Sequence, residues 1–209
     1  NISGSFEDYW HSSVHAKAKY DVRKADKHHI ETRFFGVEAC GTFYSLYLKR
    51  MQELGSPALP LIFFESLAKF FEEDFSFAVS FKDGLPVAAS TLMSVENRWI
   101  GHPWSVSDSA FRDLSVNYAH YRDLIKHAFE GGYTQFYLGP SLKNSNWSRI
   151  KLRFGGEESF AVRLDGRANH HPSESAMVQT AQTLLRKLPA PIFKRTSPMV
   201  TRLALRLLA

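Results

Sequence analysis

One cysteine, Cys40, stands in 209 residues. An internal disulfide is therefore excluded, and a reducing compartment is the simplest setting. No apolar run approaches the roughly 20 residues that span a bilayer, and no secretory signal pattern opens the chain. From Ser175 onward there is no acidic residue, against six basic ones: Arg186, Lys187, Lys194, Arg195, Arg202 and Arg206. The net charge is +5, so residues 1–174 sum to −1 and the basicity belongs to the tail. A near-neutral body without a recognition motif argues against DNA as a partner. The chain begins Asn-Ile-Ser-Gly rather than with Met, which suggests a piece of something longer.

What is present is a core. Hydrophobic residues make up 44% and aromatics 14%, with 17 Phe. This composition fits one globular domain and not a disordered chain. Residues 5–27 lack Gly and Pro, are densely charged, and read as a mostly exposed helix capped by Ser5. Residues 29–36 read as a short strand. Phe43, Leu46, Tyr47, Arg50 and Leu54 recur at helical spacing before the stop at Gly55. A second helix, 61–73, shows an apolar face of Phe64, Leu67, Ala68 and Phe71.

The period then changes to two. Asp83-Gly84 is a hairpin signal and Glu96-Asn97 a second turn, so 75–82, 86–95 and 98–106 read as antiparallel strands. A loop over 107–115 leads to a helix over 116–130 that stops at Gly131-Gly132. A strand through Phe136-Tyr137-Leu138, a short helix over 144–154 and a last strand over 157–164 follow. Residues 165–175 read as polar linker. The order from residue 29 is β-α-α-β-β-β-α-β-α-β, a mixed α/β sheet flanked by helices. The expected division is an N-terminal basic helix (1–28), a central domain (29–165), and a linker with a basic amphipathic tail (166–209).

Several residues carry chemistry in this order: Tyr121, Ala128-Phe129-Glu130-Gly131-Gly132, Phe136-Tyr137-Leu138-Gly139-Pro140-Ser141, then Ile150-Lys151-Leu152-Arg153-Phe154-Gly155. Together with the element order, they resemble the FemAB-like branch of the GNAT acyltransferase superfamily. Upstream, FYSLYLKRMQELGSPALPLIFFESL resembles the helix–Gly-x-Pro–helix opening of that branch. Lys17, Lys19, Arg23 and Lys24 resemble the basic helix before it. The resemblance spans roughly residues 10–165. It departs from the branch at Pro140, where many members carry Arg.

The resemblance implies a GNAT-like fold. It also implies transfer of an acyl or aminoacyl group from a thioester or ester to an amine, on a cell-envelope precursor such as one of peptidoglycan. Acyl-CoA is the implied co-substrate, with aminoacyl-tRNA as the alternative and no metal. The cradle for a pyrophosphate would lie at Ser107 through Asn117, with Arg112 supplying charge. The family's glycine-rich loop is absent there, since SDSAFRDLSVN has no glycine. Tyr121 or Tyr118, spaced three apart on one helix face, would protonate the leaving group, or both pack on the sheet. Lys151 would hold a substrate anion, or be one of three solvated charges with Arg149 and Arg153. Gly139 turns the chain at a strand end and Ser141 caps the next segment or meets a ligand. His102 and His120 are candidate bases, although core or surface roles are the commoner use of such histidines. His11 and His15 form an i, i+4 pair without a third metal ligand.

Tandem GNAT proteins need only one working site, so a non-catalytic binding module is the rival reading. The tail would lie on an anionic membrane or dock on a second GNAT half. The expected location is the cytoplasm, or the inner face of the membrane.

Overall fold

The structure is a computed structural model that describes residues 1–159 and 176–208. Its centre is a six-stranded sheet in the order β1-β2-β3-β4-β6, with β5 also paired to β3. The strands are β1 (Glu31–Phe35), β2 (Phe75–Lys82), β3 (Leu85–Val95), β4 (Trp99–Gly101), β5 (Ser105–Ser107) and β6 (Gln135–Tyr137). The β1–β2, β2–β3, β3–β4 and β3–β5 pairs are antiparallel; β4 and β6 are parallel. The mixed α/β architecture is the expected one.

The hairpin turns form where the sequence places them. Asp83 and Gly84 take φ of 50° and 78°, and Glu96 and Asn97 take 55° and 50°. Left-handed backbone at both central residues matches the twist of the flanking strands. The expected third strand, 98–106, is instead two pieces. β4 and β5 are separated by His102-Pro103-Trp104, because Pro103 has no N–H to continue a ladder. Below the break, β4 lies between β3 and β6. Above it, β5 keeps only β3. Gly101 permits the tight pairing just before the strands part, since a Cβ there would lie 3.1 Å from Tyr137 Cβ.

Helices cover both faces. On one lie α3 (Cys40–Leu54) and α4 (Leu61–Phe71). Phe43, Tyr47 and Phe64 pack there against Phe75, Phe77 and Val79 of β2. Phe43, Leu46 and Tyr47 of the anticipated α3 stripe are buried, while Leu54 is 42% exposed. Gly55 ends α3 with φ 66°, and backbone of a later helix leaves no room for a Cβ there. On the other face lies α5 (Val116–Glu130), with Leu124 and Ala128 against Ala78, Leu92 and Ile100.

The N-terminal segment departs from its reading as one exposed helix. It forms α1 (Phe6–Ser12) and α2 (Ala16–Asp26), broken at 13–15. α2 buries Ala18, Asp21, Val22 and Ala25. The spacing of small residues lets it lie flat on α5, so charge density alone misjudged its exposure. The 107–115 loop contains a 3-10 helix, Ser109–Leu114. Residues 157–159 are not strand; the rest of the expected last strand, and the 165–175 linker, lie outside the described residues.

The tail forms α7 (Ala176–Lys187) and α8 (Ala190–Leu208). Phe193 is buried with α3 and α4 side chains. The Ser197 hydroxyl accepts from the Ala58 N–H at 2.6 Å, and Thr201 Oγ1 donates to the Ala58 carbonyl at 2.7 Å. No helix among the described residues is long and apolar enough to cross a membrane.

Candidate active site

The site begins where the sheet opens. β4 and β6 pair from Trp99–Gln135 to Gly101–Tyr137, and then β5 turns away with β3. The facing edges of β5 and β6 are unpaired with each other, leaving backbone groups available to an extended ligand. His102 sits at the point of separation. It is 5% exposed, and neither ring nitrogen has a hydrogen-bond partner among the described residues. Its ring meets Tyr121 edge-on at 5.1 Å and Phe136 at 5.6 Å. Burial pushes its pKa down to about 3, helped by His120 and Lys151, so the imidazole is neutral. A buried polar group without a partner is costly, by roughly 1–3 kcal/mol, and such costs concentrate at functional sites.

Tyr121 belongs to α5 and is 3% exposed. Burial raises its pKa well above the ordinary tyrosine value. No described residue hydrogen-bonds its hydroxyl, so it keeps a proton to donate. Its ring also stacks on Phe154 at 5.7 Å. Tyr118, one turn earlier, is half-buried. Its hydroxyl accepts from Arg153 Nη1 at 3.2 Å, away from His102 in the contacts it makes.

Lys151 faces inward. Its ammonium donates to the Gly139 and Pro140 carbonyls at 2.8 and 3.0 Å and to Ser141 Oγ at 2.7 Å. All three of its donors are thus used by the loop after β6. Partial burial lowers its pKa. Gly139 has φ 77°, the left-handed turn that curls the loop around the ammonium. Ser145, not Ser141, caps the following helix α6 (Asn146–Arg153).

The 107–117 segment lies at the other wall. Ser107 ends β5 and Asp108 caps the 3-10 helix, its Oδ1 accepting from Ala110 N. Asp108 also pairs with Lys49 at 2.6 Å. Arg112 is exposed and has no ion-pair partner among the described residues. Ser115 takes φ 58° and ψ 29° and gives α5 no side-chain cap. A serine therefore makes the left-handed turn that glycine would make most cheaply. The first N–H groups of α5, at Val116 and Asn117, are left for other partners, as anion-binding helix starts require.

The structure thus brings His102, Tyr121 and Lys151 to one end of the sheet, with Gly139 and Ser141 bound to Lys151. Arg112, Ser107 and Asn117 flank the start of α5. His102 was only one candidate among several in the sequence. Its signal was a histidine directly before Pro103 in an otherwise strand-like run. The His11–His15 pair does not exist on one helix. His15 is the cap of α2, its Nδ1 accepting from Lys17 N, and His11 lies in the last turn of α1. No group of three metal-ligating side chains occurs among the described residues.

A sheet that parts beside an uncapped helix start defines a GNAT fold. The sequence model of the acetyltransferase (GNAT) domain matches residues 12–149, and the chain belongs to that family, in its FemAB-like branch. Among solved structures it is similar to FemX, at 14% identity and a TM-score of 0.64. The match covers 72% of this chain and 56% of FemX, so the chain spans little more than half of FemX's length. It is also similar to the aminoglycoside acetyltransferase meta-AAC0020 from an uncultured soil metagenomic sample, in complex with sisomicin. That match has 12% identity and a TM-score of 0.55, over 69% of this chain and 99% of that one. Aminoglycoside N-acetyltransferase AAC(6')-Iy in complex with CoA aligns at 13% identity and a TM-score of 0.52, over 68% and 96%. No curated protein matches the sequence.

Proposed function

We propose that this domain is an N-acyltransferase that moves an acyl or aminoacyl group from a thioester or ester to an amine, on a cell-envelope precursor. The observation that carries the reading is the buried imidazole of His102, without a hydrogen-bond partner among the described residues and edge-on to the ring of Tyr121, where β5 and β6 part. The residues fit an acyl-CoA. Its pantetheine would run along the free edge of β5, and its phosphates would meet the start of α5 and Arg112. CoA supplies the activated acyl carbon and a thiolate leaving group. GNAT neighbours bind CoA, which supports that donor; an aminoacyl-tRNA is the alternative carrier.

The chain's own groups then have distinct tasks. The attacking amine must be neutral, and it forms the C–N bond as the C–S bond breaks. Tyr121, held protonated by burial, gives its proton to the leaving thiolate. His102, neutral and buried, orients the reacting groups by hydrogen bonds and does not store a proton. Lys151 shapes the acceptor side by holding the 139–141 loop. Holding the partners in register supplies much of the acceleration. The tail would face an anionic membrane or a second GNAT half, and the acceptor chemistry would place the protein at the inner membrane face.

The test is thermal shift of the full chain against acetyl-CoA, longer acyl-CoAs and free CoA. Stabilisation that grows with ligand concentration, and is lost in Arg112→Ala, supports the CoA donor. The absence of any shift would sink it in favour of the tRNA-borne donor. A second reading, a non-catalytic binding module, is favoured by Lys151, whose donors are all engaged. Binding without transfer to any amine would select it.

A further inference from the structure

Behind the site runs a continuous chain of buried hydroxyls with one imidazole at its centre. Thr32 Oγ1 on β1 bonds Ser80 Oγ on β2 at 2.8 Å. Ser80 Oγ bonds His120 Nδ1 at 2.7 Å, and His120 Nε2 bonds Ser90 Oγ on β3 at 2.7 Å. Ser90 donates to Ser105 Oγ on β5 at 2.8 Å. Thr32 faces Ser80, and Ser90 faces Ser105, as direct cross-strand partners. His120, on α5, bridges the two pairs. Ser80 and Ser90 are fully buried and His120 is 1% exposed. The two ends differ: Thr32 is half-buried at the sheet edge, and Ser105 is exposed on the strand that walls the opening.

The polarity of the chain follows from counting protons. Ser90 has one hydroxyl proton and gives it to Ser105, so it accepts from His120 Nε2–H. His120 Nδ1 then accepts from Ser80, and Ser80 accepts from Thr32. Every donor points toward Ser105. A buried polar network in which each member is satisfied is uncommon and specific. A merely structural histidine would need two partners, not a directed chain open to solvent at both ends.

We propose that Thr32, Ser80, His120, Ser90 and Ser105 form a proton relay that carries the acceptor amine's proton from the active site through the sheet to its far edge. This rests on the acyltransferase reading. Transfer starts from the turned-over chain, its hydroxyls rotated and His120 carrying its proton on Nδ1, so that every donor points toward Thr32. As the C–N bond forms, the nitrogen's proton passes to Ser105 Oγ and the Ser105 proton to Ser90. The Ser90 proton goes to His120 Nε2 as the Nδ1 proton leaves for Ser80. The Ser80 proton goes to Thr32, and the Thr32 proton to water. Each group ends neutral, one proton has crossed, and no electron is gained or lost. The hydrogen bonds then point toward Ser105 again, as Ser90 does toward Ser105, and rotation of the hydroxyls with tautomer exchange turns the chain over for the next transfer. His120 suits transit over storage, because burial holds its pKa at about 4. Ser105 meets the amine; the other four act behind it as positioning residues.

The experiment reads the chain at its ends, using Ser105→Ala and Thr32→Val. Neither residue touches His120, and neither variant removes large packing. Long-range proton–nitrogen spectra of the full chain, labelled at histidine, report the His120 tautomer, with His120→Gln for assignment. The relay predicts that each end variant shifts the tautomer balance of His120. Unchanged tautomers in both variants overturn it. In transfer from acetyl-CoA to an amine panel, each variant should lower kcat by about 100-fold, the lower end of proton-transfer catalysis. KM for acetyl-CoA should hold, and the curved dependence of rate on deuterium fraction should become linear. Wild-type kcat in both variants overturns the relay. If wild type acylates no amine, the acyltransferase reading fails, and the tautomer result alone then decides whether the chain is coupled.

Discussion

The two faces of this sheet are built on opposite principles. The face under α3 and α4 is aromatic and dry. Phe43 meets Phe64 edge-on at 5.0 Å and Phe77 at 5.6 Å, and Trp104 meets Phe64 at 5.3 Å. The face under α5 has smaller apolar side chains and a buried polar row: Ser80, Ser90, His102 and His120. Apolar contacts are non-directional and tolerate close packing of any matching shapes. Buried polar groups hold only specific geometries and are expensive when unpaired. The first face therefore supplies stability. The second supplies directed hydrogen bonds, and it is the face on which the sheet opens. Among the described residues His120 is satisfied on both nitrogens and His102 on neither, which separates the two histidines.

Phe64→Ala breaks the comparison most severely. It should cost about 3–5 kcal/mol, the usual penalty for emptying an aromatic site, measured by denaturant unfolding. Ser90→Ala, on the other face, strands His120 Nε2. It should cost about 1–3 kcal/mol, the penalty for an unsatisfied buried group, despite removing a single oxygen. His102→Leu should act in reverse. It removes two unpartnered nitrogens and should raise stability by about 1–2 kcal/mol, while acyl transfer is lost. If stability falls and transfer survives, His102 is an ordinary core residue.

The faces should also differ in acid. His102 and His120 have folded pKa values of about 3 and about 4, below the unfolded value of 6.5. The unfolded chain therefore takes up protons first, and stability is full above about pH 6.5 and falls as pH drops toward 4. Between about pH 7.5 and about pH 5, a range bracketing the unfolded histidine pKa, His102→Leu should lose less Tm than wild type. An equal loss in both would remove His102 from the account. The smallest effect is expected for Lys151→Met. It frees the 139–141 loop at a cost of about 1 kcal/mol, since the ammonium is half-exposed. Faster amide exchange confined to residues 139–141 would report it.

How much of this was legible in the sequence varies by element. Asp83-Gly84 and Asn97 announced their turns, because Gly, Asn and Asp accept left-handed backbone most cheaply; Glu96 takes φ 55° without that advantage. Phe43, Leu46 and Tyr47 announced a buried helix face by their spacing. The break after Gly101 was not legible, since residues 98–106 alternate as one strand would and only Pro103 hints otherwise. The charge of residues 5–27 concealed the stripe Ala18, Val22 and Ala25, because small residues bury well against a helix without looking like a core. His102 and His120 read alike as candidate bases. What distinguishes them is which partners reach their nitrogens, and those partners are far apart in the chain.

The sequence by itself determined the elements, the turns, the two-sided patterning of β2 and β3, and the basic tail. These depend on residues within a few positions of one another, where backbone preference and side-chain period act. The tertiary structure decided what covers each face. It placed α5 over Ser80 and Ser90, turned Lys151 into the 139–141 loop, and put Phe193 of the tail beneath α3 and α4. It also opened the sheet at His102. Strand alternation tells which side chains share a face but not whether water or a helix meets that face. That depends on contacts between residues 40 and more than 100 positions apart, such as Ser80 with His120 and Ala58 with Ser197, and only the folded chain brings them together.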